Sequence, residues 1–221
     1  MSYKWWVIVA TSLFGVGIAF GLATPAGIGD PFAEDILEQL SGLLTPFSVL
    51  TTIFIFINNV VALVISFILS PILCLFPILA LTVNGWLLAF VSSAVVSEKS
   101  LGFLLAGLLP HGIFEIPALI LGEAAALSLG AMAVILILKK ESRAVLVSTV
   151  TKDVGRVLLA LAMLFIIGIF HTIVIVALLE RQTRDPLMVN LKQNLRYLMV
   201  ALILFVPAAI IETYITPLLL T

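Results

Sequence analysis

Residues 108–130 read LLPHGIFEIPALILGEAAALSLG, a run apolar enough for a bilayer interior that still carries a proline, a histidine and two glutamates. How this stretch sits decides the fold. Pro110 has no amide hydrogen and fits the first turn of a helix, so the sequence predicts a helix break at Pro110 to Gly112. His111 would then lie near the positive N-terminal end of the helix that follows. The piece before it, LGFLLAGLL from Leu101 to Leu109, is too short to cross a bilayer and predicts a half-helix or re-entrant segment.

The rest of the chain supports a membrane setting. Of 221 residues, 62% are hydrophobic and 10% charged, against about 45–50% and about 25% in soluble domains. No stretch between the apolar runs is long enough for a separate water-soluble core, so residues 1–221 form a single membrane domain. A formal net charge of −1 provides no basic field for nucleic acid. The one cysteine, Cys74, allows no internal disulfide and no C-x-x-C metal signature.

At about 20 apolar residues per crossing, spans fall at Lys4 to Ala23, Phe47 to Leu69, Ile72 to Val95, Gly112 to Leu138, Val157 to Leu179 and Leu195 to Pro217. The expected fold is therefore all-α, a polytopic bundle of about six transmembrane helices. The first span resembles a signal peptide in its preceding lysine, but its 20 residues exceed the usual apolar region of about 7–15 and predict a retained anchor. The connection TPAGIGDPFAEDILEQLSG holds Asp30, Glu34, Asp35 and Glu38 and no basic residue, and predicts an amphipathic interfacial helix, with a cation-attracting vestibule as the alternative. If six helices alternate, Lys4, Lys139, Lys140, Arg143, Lys152 and Arg156 share one side, and Lys99, Arg181, Arg184, Lys192 and Arg196 the other. That balance of six to five favours cytoplasmic termini only slightly.

Ionisable groups at membrane depth are costly and point to function. His111 and Glu115 are four apart and share a helix face. They either satisfy each other and the backbone freed at Pro110, bind a proton or metal ion, or form a catalytic site. Glu123 lies eight residues on, about 80° around the helix from Glu115. Glu212 has no basic residue after it and must find its partner on another helix. His171 has no charged neighbour within four positions and is expected as a hydrogen-bonded core residue. Asn58, Asn59 and Asn84 add amides that either bond between helices or line the cavity of Glu115. Convergence of His111, Glu115 and Glu212 would give two carboxylates and one imidazole, a set suited to a divalent ion such as Zn²⁺ or Mn²⁺. Gly122, Ala126 and Gly130 form a small-residue stripe, read either as internal packing or as the seam of a homo-oligomer.

FINNVVALVIS, the Asn84–Gly85 pair, PHGIFEIPALILGEAA and AAIIETYITP together resemble the stage II sporulation protein M family of polytopic membrane proteins, over roughly Thr51 to Pro217. The resemblance marks Asn59, Asn84, Gly85, Pro110, His111, Gly112, Glu115, Pro117 and Glu212 as signature positions. The chain departs from the pattern at Ser70 and Ala126, where the family tends to have glycine. Bacterial members act with cell-wall-remodelling enzymes during spore engulfment, which implies a scaffold role only in an organism that makes spores.

The residues predict a non-enzymatic multi-pass protein of the cell membrane, surrounded by lipid. Its buried site of His111, Glu115 and Glu212, with Glu123, Asn59 and Asn84 nearby, would bind protons or a divalent cation in a transport or channel role. The alternatives are a scaffold in an envelope or transporter complex and an intramembrane metallohydrolase. The last has no Ser/His pair, G-x-S-x-G or H-E-x-x-H to support it.

Overall fold

The computed structural model describes residues 2–24, 46–71, 74–138 and 181–220, with side chains at 136–138 and 181–187 left aside. The described residues form α1 (Tyr3–Ala23), α2 (Val49–Leu69), α3 (Leu75–Glu98), α4 (Leu101–Leu138), α5 (Arg181–Tyr214) and the short α6 (Thr216–Leu219). Five of these are long and apolar enough to cross a membrane. The most exposed side chains include Leu50 at 76%, Val189 at 68% and Leu22 at 66%, the inverse of a water-facing surface and the expected state of groups that meet lipid. Helix hydroxyls turn back onto their own backbone, as Thr82 to the Ile78 carbonyl and Thr213 to that of Ala209, which satisfies them where no water is present.

Close approach of backbones holds the bundle together. A Cβ on Gly17 would meet the Thr82 carbonyl oxygen, one on Gly21 that of Trp86 and one on Gly85 that of Phe14, so α1 and α3 run parallel with their backbones nearly touching. Gly122 and Gly130 serve the same purpose between α4 and α2: a Cβ on the first would meet the Leu63 side chain, and one on the second the Ser70 carbonyl oxygen. Ala126 is buried in the cluster with Leu63 and Phe67. Within the chain, the stripe is therefore used for helix packing, as the internal-packing reading expects.

The structure corrects the expected break. α4 is one helix of 38 residues that passes through Pro110 and Pro117, and Leu101 to Leu109 is its first part, not a re-entrant piece. Ser100 starts it by accepting the Phe103 amide at 3.1 Å, an N-cap that sets the helix origin ten residues before the proline. An internal proline removes one hydrogen bond at about 3 kcal/mol. Fraying the neighbouring turns in lipid would strand several more polar groups, so continuity is the cheaper state.

The direction of the last long helix also differs from simple alternation, which would set the spans at 112–138 and 195–217 parallel. Ser128 faces Asn190, Glu115 faces Glu212 and His111 faces Thr216, so α5 runs antiparallel to α4. Leu138 and Arg181, which bound residues 139–180, consequently lie at one end of the bundle. Side-chain packing rather than a count of apolar runs fixes this direction. The membrane-compatible part of α5 is Met188–Tyr214, longer than the expected Leu195 to Pro217. The predicted span Val157 to Leu179, His171 and the acidic connection lie outside the described residues.

α4 is the axis of the bundle. It contacts α1, α2, α3, α5 and α6, and the residues from Gly122 to Gly130 are buried without interruption.

Candidate cation site

Glu115 projects from α4 one helical turn after His111, and its Oε2 lies 3.8 Å from the imidazole Nε2. Its other oxygen, Oε1, accepts a hydrogen bond from the Asn59 amide of α2 at 3.3 Å. Glu212, near the end of α5, completes the group: one ligand atom from each of His111, Glu115 and Glu212 lies within 4.8 Å of the others. All three side chains are only partly buried. The antiparallel course of α5 is what carries Glu212 back to the first third of α4.

Thr216, on α6, faces the far side of the imidazole, with Oγ1 3.4 Å from Nδ1. When Nδ1–H donates to this hydroxyl, Nε2 keeps its lone pair toward the carboxylates, the arrangement metal-binding histidines use. Sequence reasoning missed Thr216. The signal was available in TYITP, where a hydroxyl sits four residues after Glu212 and directly before a proline.

The carboxylates border a groove of about 470 Å³ between α3 and α4, which Asn84, Ser92, Leu104 and Gly112 also line. Asn84 faces this groove while its amide donates to the Ala80 carbonyl at 2.7 Å. Asn58, beside Asn59, points instead to the outer face of α2 among Ile57 and Val61. Glu123 departs from the expected shared cavity. It is 1% exposed, about 12 Å further along α4 than Glu115 by helix rise, and takes a hydrogen bond from the Ser66 hydroxyl at 2.5 Å. Ser66 and Asn59 are seven apart on one face of α2, so each carboxylate of α4 meets its own donor on the same neighbouring helix.

Two carboxylates within 4.8 Å of each other repel by about 3.5 kcal/mol or more when both are ionised, at an effective dielectric of about 20. One shared proton or one cation relieves that repulsion. Ligand atoms around a tetrahedral ion with bonds of about 2.1 Å stand about 3.4 Å apart, so shifts of about 1 Å would close the group on a metal.

Residues 10–180 match the family model of stage II sporulation protein M. The chain belongs to that family. The matched range contains His111, Glu115, Glu123, Asn59 and Asn84, and ends before Glu212 and Thr216. This family member thus completes its polar group with two residues from a helix pair beyond the matched range. No curated protein and no solved structure matches the chain.

Proposed function

We propose that this member of the stage II sporulation protein M family is a non-enzymatic, multi-pass protein of the cell membrane that binds a divalent cation at His111, Glu115 and Glu212 and acts in its transport. The observation that carries the reading is the placement of three ligand atoms from two helices within 4.8 Å. One imidazole and two carboxylates suit Zn²⁺ or Mn²⁺, and three protein ligands leave a further position for water. An open position permits exchange, which transport requires and a closed structural site prevents.

The test is equilibrium Mn²⁺ binding to the purified protein, followed by flux into proteoliposomes. One ion per chain, lost in Glu115→Gln, is expected. Binding unchanged by that substitution overturns the site, and binding without flux removes the transport role.

A second reading, a scaffold built from copies of the chain, is favoured by one observation. Asn58 has no hydrogen-bond partner among the described residues, yet lies on an exposed face with Leu50, Ile53, Phe54, Ile57 and Val61. A second copy related by a two-fold axis would pair the two amides. Asn58→Leu should then lower the detergent-solubilised mass, and an unchanged mass rules out this seam.

A further inference from the structure

The two ends of the bundle differ in charge and in closure. Ser70, Cys74, Gly130 and Asn190 mark one end, because Gly130 abuts Ser70 and Cys74 while Ser128 faces Asn190; α1, parallel to α3, begins on that side, with Tyr3 bonded to the Leu121 carbonyl. The α3–α4 turn at 99–100, Thr24 and Tyr214 belong to the other. Among the described residues Lys4, Arg181, Arg184, Lys192 and Arg196 fall on the first end or on the half of α5 leading from it, and only Lys99 falls on the second. Lys192 and Arg196 are exposed, and their long stems can carry the charges to the interface. Five basic residues against one is a strong orientation signal where simple alternation gave almost none, and it places the first end in the cytoplasm.

The cation site lies toward the opposite end. Glu115 is 15 residues before Gly130 on α4 and His111 is 19 before it, which puts them about 22 Å and about 28 Å above the cytoplasmic end by helix rise, within a hydrocarbon core of about 30 Å. The groove beside them continues upward to Ser92 and Leu104, near the α3–α4 turn. Below them α4 is enclosed: every residue from Gly122 to Gly130 is buried, with Leu63 seated on Gly122 and Leu81 on the neighbouring face at 0% exposure. The described residues therefore give the site an open groove on one side, apolar along Leu88, Val91, Leu104 and Leu108 with Ser92 as its polar group near the rim, and a closed collar on the other.

We propose that the His111–Glu115–Glu212 site is loaded from the non-cytoplasmic face, so that its ligand is an extracytoplasmic divalent cation and the collar at Gly122–Gly130 is the inner barrier. This rests on the cation-binding reading above. The test uses the full chain with its only cysteine, Cys74, replaced by alanine, or by glycine if that variant expresses better, since Cys74 has a positive φ of 57°. Single reporters are placed by Ser2→Cys, Ser100→Cys and Ser92→Cys, and labelled with a membrane-impermeant maleimide in intact spheroplasts. Ser100→Cys and Ser92→Cys should label from outside, and Ser2→Cys only after permeabilisation. External Mn²⁺ should abolish labelling of Ser92→Cys, and Glu115→Gln should restore it. Labelling of Ser2→Cys but not Ser100→Cys from outside overturns the orientation. Correct orientation with no protection by external Mn²⁺, in a protein that binds Mn²⁺ after solubilisation, overturns outer access. Absence of Mn²⁺ binding in detergent overturns the site itself, and the outcome at Ser2 and Ser100 still reads the orientation separately.

Discussion

Asn59→Ala isolates the contribution of a single amide to the cation site. Asn59 touches no other member of the ligand set: its Nδ2 donates to Glu115 Oε1 at 3.3 Å, leaving Oε2 directed toward His111. Removing the amide frees the carboxylate to rotate and leaves one oxygen without its donor. Partners that orient a metal ligand contribute about 10–100-fold in affinity. The 3.3 Å separation lies just beyond the usual N–H···O range of about 2.7–3.2 Å, so the lower end applies, about tenfold or about 1.4 kcal/mol. The assay is titration of the detergent-solubilised protein with Mn²⁺, following free Mn²⁺ by electron paramagnetic resonance at fixed pH. Stoichiometry should stay at one ion per chain while the dissociation constant rises. Asn58→Ala is the internal control, since its side chain lies on the exposed outer face of α2 and should leave binding unchanged. Wild-type affinity in a folded Asn59→Ala protein, or equal losses at positions 58 and 59, would refute the reasoning.

Glu115→Gln and Glu212→Gln should each weaken Mn²⁺ binding by more than about 100-fold, above the range for orienting partners, and the double variant should lose less than the sum because the two act as one site; additive losses in the same titration would place them in separate sites. Ser66→Ala should destabilise the protein by about 1–2 kcal/mol, read by detergent unfolding with tryptophan fluorescence, and Glu123→Met in the same chain should recover most of that loss because no buried acceptor remains. Gly122→Leu should lower stability in the same assay, since even a Cβ there would overlap the Leu63 side chain. The solubilised mass should be unchanged; a smaller mass would return the stripe to an interface between copies.

The site was more legible in the sequence than the path of the chain around it. Helical spacing alone puts His111 and Glu115 on one face. The search for a partner to Glu212 follows from the cost of a lone carboxylate in lipid, and the structure places that residue beside them. Asn59 was legible only as an alternative, because two adjacent amides point to different faces of a helix and the sequence does not say which face is inward. Glu123 was misplaced for a related reason. An angular offset of about 80° leaves it on the same side of α4 as Glu115, but the rise of about 12 Å carries it to a different level, where Ser66 already awaits it.

The helix break and the direction of α5 were misread for physical reasons that bear on each other. In water proline acts as a breaker, whereas in lipid the unpaired groups a break exposes outweigh the one bond that proline removes. The legible counter-signal was Ser100, whose capping position before LGF starts the helix ahead of Pro110. Once α4 is continuous, its axis extends about 57 Å by helix rise for 38 residues, enough to contact α5 from the level of Asn190 to that of Thr216. Antiparallel contact along that length brings Glu212 to Glu115 and moves Arg181, Arg184, Lys192 and Arg196 to the side of Lys4. A parallel α5 would have separated the carboxylates by most of the membrane and divided the basic residues between its faces. The same packing decision thus brings the two carboxylates together and gathers Lys4, Arg181, Arg184, Lys192 and Arg196 toward one side. An experiment that reverses the orientation of α5 relative to α4 would therefore have to undo the Glu115–Glu212 coupling as well.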